Sequence, residues 1–125
     1  MTSDKEIYDS ITSRMNGFLY RCNNDSDYTM IVMSGRVDEV TGYLKSEFIN
    51  NRSYSYVNII HKDDVEKVDK AVSFGIDNKK NWDVDYRIVK KDGSIQWLNE
   101  HGGPVFNDNK ELLYLEGFNQ LTLFL

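Results

Sequence analysis

Apolar residues recur along this chain with two different periods. Near the N-terminus, Ile7, Ile11 and Met15 stand four residues apart, the spacing of one helical stripe, and Ser3-Asp4-Lys5-Glu6 in front of them reads as a capping box. Asn16-Gly17 ends that helix. The period then shortens to two. Phe18, Tyr20 and Cys22 alternate with Leu19 and Arg21, and the run YTMIVMS follows the turn-forming NNDSD, which predicts a β-hairpin. Residues 34–48 break into short helical pieces, with Gly42 stopping the first. A longer helix opens at Asp63, its expected N-cap, with Glu66 three residues on; Val65, Val68 and Val72 form its buried stripe and Gly75 punctuates its end. In the last third, Trp82, Val84, Tyr86 and Ile88 alternate with Asp83, Asp85 and Arg87. KKDG turns the chain, Ser94 to Phe106 runs back, and Leu112 to Leu123 forms the last strand after NDNKE. This order predicts an α+β fold, an antiparallel sheet with helices on one face.

The KKDG turn decides which side chains share a face. A two-residue loop of Asp92-Gly93 sets Ile88 opposite Trp97 and Val84 opposite His101. A three-residue loop of Lys91-Asp92-Gly93, with Gly93 left-handed, sets Tyr86 opposite Leu98, Val84 opposite Glu100, and Arg87 beside Trp97 on the outer face. Glycine at the third loop position, where φ must be positive, favours the second register. Glu100 then points under the helices, and His101 points the other way because successive strand side chains alternate. The adjacent Glu100 and His101 therefore cannot converge on one substrate or metal. A carboxylate on the covered face must be paired or protonated. Gly102, Gly103 and Pro104 are expected to mark a bend or bulge near the strand's end.

Composition narrows the class. The 125 residues suit one domain, with residues 1–15 as a flanking helix and 17–123 as the core. The net charge of −5, with basic residues clustered no further than the short pairs Lys79-Lys80 and Lys90-Lys91, lacks the footprint that phosphate backbones require, so no nucleic-acid partner is expected. Cys22 is the only cysteine, which excludes an internal disulfide and a thiolate zinc site and fits a reducing, cytoplasmic location. No apolar stretch reaches the roughly 20 residues that span a bilayer, and the acidic MTSDKEIYDS is no secretory signal.

Three segments, in order, resemble a PAS domain carrying a C-terminal PAC motif. YRIVKKDGSIQWLNEHGGPVFNDNKELLYLEGF is similar to the family's third-to-fifth strand block. VTGY, residues 40–43, resembles the turn after its first short helix, and IIHKDD, residues 59–64, resembles the entry to its long helix, with Lys62 where proline is usual. The resemblance implies a five-stranded antiparallel sheet in the order 2-1-5-4-3. It also implies a sensory role that feeds an output module in the same polypeptide, such as a diguanylate cyclase or histidine kinase, in cyclic-di-GMP or two-component signalling. The family's closing Asp-Ile-Thr is absent: Leu121 stands four residues after Gly117, and LTLFL is expected either to lack the coupling element or to start an apolar linker helix. A flavin adduct is not expected, because the light-sensing relatives carry its cysteine on a helix and Cys22 lies on the first strand. Haem is not expected either, since His61 at the helix entry is better explained as a polar helix-start residue.

Candidate ligand contacts follow from the covered face: Val84, Tyr86, Ile88, Leu98, Glu100, Leu115 and Asn119, with Tyr43 and Phe48 from the helical wall. By resemblance, Leu98 and Asn119 correspond to flavin-contacting positions. The stripe of Ile7, Ile11 and Met15 packs on its own sheet or pairs with a second subunit. Homodimerisation is favoured, because outer-face Trp97 needs cover. The expected function is a non-enzymatic sensory domain that binds a small ligand or dimerises. The alternatives are a small cavity enzyme using Glu100 or a His61–Asp64 pair as acid and base, and a ligand-free dimerisation module.

Overall fold

Each strand of the alternating type has one apolar face to bury, and the sheet forms where those faces meet under a layer of helices. The computed structural model describes residues 3–122. Positions 123–125, the end of the expected last strand and of LTLFL, lie outside the described residues. In chain order the elements are α1 (Asp4–Thr12), β1 (Gly17–Cys22), β2 (Met30–Gly35), α2 (Val37–Thr41), α3 (Lys45–Phe48), a 3-10 turn (Tyr56–Ile59), α4 (Val65–Asn78), β3 (Trp82–Val89), β4 (Ile95–Phe106) and β5 (Leu112–Leu121). The five strands form one antiparallel sheet in the order β2-β1-β5-β4-β3, as expected.

The β3–β4 hairpin adopts the register of the three-residue loop. Gly93 has φ +87°, Tyr86 pairs with Leu98, Val84 with Glu100, and Arg87 with Trp97. One face of the sheet therefore collects Phe18, Tyr20, Cys22, Trp82, Val84, Tyr86, Ile88, Leu98 and Leu115, all buried. Val37, Val40, Phe48, Tyr56, Ile59, Val68 and Val72 close over them from the helical layer.

Five expectations about element boundaries change in the structure. α1 ends at Thr12 rather than Met15, and the chain tightens into turns as the amides of Arg14 and Met15 donate to Ile11 and Thr12. The N-cap of α4 is Asp64, not Asp63, and its carboxylate does not cap the helix. It accepts instead from Arg87 N, Nε and Nη2 at 2.7, 2.9 and 2.7 Å, clamping the start of α4 to the edge strand β3. Gly75 does not end α4; it is buried mid-helix, where a Cβ would lie 2.6 Å from the Trp82 ring, and the helix runs on to a left-handed Lys79. β4 passes straight through Gly102, Gly103 and Pro104, and its irregularity falls later, between Val105 and Phe106. Proline is tolerated because β3 begins opposite Gly102, so at Pro104 the strand has a partner on one side alone. Leu121 is strand, not linker helix: its amide donates to Asn16 O, and that of Thr122 donates to Trp97 O.

The Asp64–Arg87 clamp carries a pH signature. Hydrogen bonds from Arg87 lower the Asp64 pKa from 3.8 to about 2. A carboxylate whose folded-state pKa is depressed contributes stability above its unfolded pKa and loses it as pH falls through the folded value. Asp64→Asn should therefore cost about 2 kcal/mol at neutral pH, from a shift of roughly two units, and should flatten the acid limb of the stability curve between about pH 4 and 2. Urea titrations of both proteins across that range test this; parallel curves would refute it.

Candidate site: a buried carboxylate in an aromatic cavity

The sheet geometry assembles the site row by row. Across the covered face, Tyr20 of β1 pairs with Gly117 of β5, Gly117 with Gly102 of β4, and Gly102 with Trp82 of β3. Two glycines in the central strands leave room above the sheet, and the large rings on either side lean into it. A Cβ on Gly102 would stand 2.6 Å from both Trp82 Nε1 and Tyr20 Oη. The neighbouring row holds Phe18, Asn119, Glu100 and Val84 in register.

Glu100, 6% exposed, is where these rings converge. Its Oε2 accepts from Tyr20 Oη at 2.9 Å and from Trp82 Nε1 at 2.8 Å, and its Oε1 accepts from Tyr86 Oη at 2.9 Å. Tyr56 Oη lies 2.7 Å from Tyr86 Oη and extends the network to the 3-10 turn. All the donors are neutral, and an acceptor-only carboxylate suits them. Burial, and next the Glu100 charge, push the phenols of Tyr20, Tyr56 and Tyr86 above their ordinary range, so they remain donors at any physiological pH. Burial, then Glu100, likewise raises the Cys22 thiol and leaves it unreactive.

Beside this network is a cavity of about 20 Å³ lined by Tyr20, Tyr28, Tyr56, Trp82, Tyr86 and Glu100 among others, with Val68 and Val72 of α4 as its roof. Room of that size holds one water-sized group. Tyr28, at φ +51°, reaches from the cavity wall to the surface, where its hydroxyl donates to the exposed Asp69 of α4.

Of the expected ligand contacts, Tyr86, Glu100 and Leu115 line this cavity. Phe48, Val84, Ile88, Leu98 and Asn119 are buried in the surrounding core without lining it. Asn119 Oδ1 lies 3.3 Å from Tyr86 Oη, and its Nδ2 has no partner. Tyr43 is only partly buried and packs edge-on against Phe48 and against Tyr54, away from the cavity. Sequence reasoning missed Tyr20, Tyr28, Tyr56 and Trp82. The signal for two of them was present, since Tyr20 and Trp82 share the inward parity of their strands.

The remaining candidates sit elsewhere. Ile7 and Ile11 are 46% and 60% exposed, because α1 docks on the outer sheet face through polar groups. Ser34 Oγ donates to Asp9 Oδ1 at 2.6 Å and lies 2.7 Å from Thr12 Oγ1, which turns the apolar stripe to solvent. Met15 is half-buried. Trp97 receives no cover from α1, which packs on β1 and β2 at the far side of the sheet. Its ring centre lies instead 5.3 Å from Arg87 Cζ and 5.5 Å from Lys67 Nζ. The His61–Asp64 pair does not form: His61 Nδ1 accepts from the Asp63 amide, and both Asp64 oxygens are held by Arg87. Among the described residues no cluster of three or more His, Cys, Asp or Glu could hold a metal ion.

The family model described as PAS fold matches residues 30–119, well over half of the chain. The chain belongs to the PAS-fold family. Solved structures agree on the fold of this PAS domain. It is similar to the PAS domain of a protein from Colwellia psychrerythraea, with 17% identity and a TM-score of 0.77 over 96% of this chain and 98% of that one. It is similar to a sensory box histidine kinase/response regulator from Burkholderia thailandensis, with 21% identity and a TM-score of 0.68 over 96% and 85%. The N-terminal domain of a diguanylate cyclase with PAS/PAC sensor from Marinobacter aquaeolei matches at 17% identity and a TM-score of 0.68 over 82% and 92%. A search of curated proteins finds no match. No helix among the described residues of this PAS domain is long and apolar enough to cross a membrane.

Proposed function

We propose that this PAS domain is the sensory part of a cytoplasmic signalling protein, with the cavity beside Glu100 as its ligand site and an output module in the same polypeptide. The observation that carries the reading is the buried carboxylate: a polar anchor placed in a core that could have been filled with hydrocarbon. Relatives of this fold named as a diguanylate cyclase sensor and a sensory box histidine kinase support the choice of role. A ligand that moves Tyr20 or Trp82 would act on β5 and β4 directly, and the end of β5 bonds to both Asn16 and Trp97. The signal thus has a short route to both ends of the core. The domain performs no catalysis itself in this reading.

A second reading, a dimerisation module, is favoured by Ile7 and Ile11, which leave about half of their surface exposed in the single chain. Native mass spectrometry reads both properties at once. The sensor reading expects an added small-molecule mass that Glu100→Gln removes. The dimerisation reading expects a doubled mass that Ile7→Ser with Ile11→Ser reduces to the monomer. A bare monomer would count against both.

A further inference from the structure

The chemistry of the cavity wall narrows what can enter it. Glu100 is the one acidic side chain in the lining, and no Lys, Arg or His among the described residues lines it. Its carboxylate is solvated by two phenols and an indole, which satisfy oxygen lone pairs but supply no positive charge. A buried carboxylate is costly without a counter-charge, and an anionic ligand would add to that cost. Aromatic rings make up most of the polar-capable wall: Tyr20, Tyr28, Tyr56, Trp82 and Tyr86. Phenol and indole rings attract cations through their quadrupole, and walls of this kind bind ammonium groups. Oε2 already takes two donors and Oε1 takes one, so Oε1 retains an open acceptor position.

We propose that the cavity beneath α4 binds an ammonium-type cation, the –NH₃⁺ head of a small primary amine, against the Glu100 carboxylate. This rests on the reading of the cavity as the ligand site. The void of about 20 Å³ matches one ammonium group as it stands. The organic tail extends toward Tyr28, the lining residue whose hydroxyl donates to the surface Asp69.

The test uses the two tryptophans as probe and control. Trp82 donates its indole N–H to Glu100, whereas Trp97 sits on the outer face. The folded domain is titrated with methylammonium chloride, with sodium chloride at matched ionic strength, and with methanol as the neutral counterpart, while both indole N–H resonances are followed by NMR. Methylammonium is expected to shift the Trp82 resonance saturably and leave Trp97 in place, and sodium chloride to move neither. Glu100→Gln is expected to weaken methylammonium binding at least tenfold, and Tyr20→Phe, which withdraws a competing donor while keeping the carboxylate, to strengthen it. If methanol shifts Trp82 as strongly as methylammonium does, the cavity remains a ligand site but the cation class is wrong. If neither probe shifts Trp82 selectively, the cavity reading falls along with it.

Discussion

Glu100→Ala should lower the unfolding free energy by about 4 kcal/mol. Alanine leaves the Tyr20 and Tyr86 hydroxyls and the Trp82 indole without their acceptor, and each orphaned buried donor costs about 1–3 kcal/mol. Domains of this size have roughly 5–15 kcal/mol in total, so the variant should lose a large fraction of its stability. Glu100→Gln should cost only about 1 kcal/mol, the scale of one exchanged hydrogen bond. The reason is in the network. The glutamine carbonyl can serve one oxygen position, and where its amide meets Tyr86, that hydroxyl can turn to Asn119 Oδ1, 3.3 Å away, and accept from the amide. Urea denaturation of the three proteins gives the comparison. An alanine variant within about 1 kcal/mol of the parent would mean that the donors find water or other partners, and the convergent geometry would lose its energetic meaning.

Gly102→Ala comes next, with an expected cost of about 3 kcal/mol, at the upper end of overpacking. The position has ordinary backbone angles, so strain in φ is not the cause. The added methyl would stand 2.6 Å from Trp82 Nε1 and from Tyr20 Oη and would push both off Glu100. Gly93→Ala is the control. There φ is +87° and nothing lies within 4 Å, so the penalty is conformational alone, about 1 kcal/mol. Thermal melts should rank the two in that order. The opposite order would assign the room above the sheet to chance rather than to the two rings.

Much of this fold could be read along the chain because its signals are local. Gly93 at the third loop position sets the β3–β4 register, and that register alone puts Glu100 on the covered face. The alternation of Trp82, Val84, Tyr86 and Ile88 names an inward row without reference to any other strand. What stayed hidden depended on partners distant in sequence. Asp64 looks like part of a helix start, and only the arrival of Arg87 from β3 turns its carboxylate away from the cap. Gly75 looks like a stop signal, yet its role is to admit the Trp82 ring. The α1 stripe looks like a packing face, but Asp9 and Thr12 found Ser34 first. Tyr20 joins the site because β1 lies two strands from β4, a neighbourhood that strand order determines and spacing along β1 does not.

The exit of β5 has a mechanical consequence. β1 and β5 are antiparallel, so Gly17 and Gln120 face each other at the same end of the central pair. Asn16 and Leu121, joined by a hydrogen bond, sit just beyond them. Tension applied between α1 and Thr122 would therefore load this pair end-on and peel it one rung at a time, rather than shearing all its rungs together. The domain is soft along that one direction, and the first rungs to open belong to Gln120 and Asn119, next to Glu100.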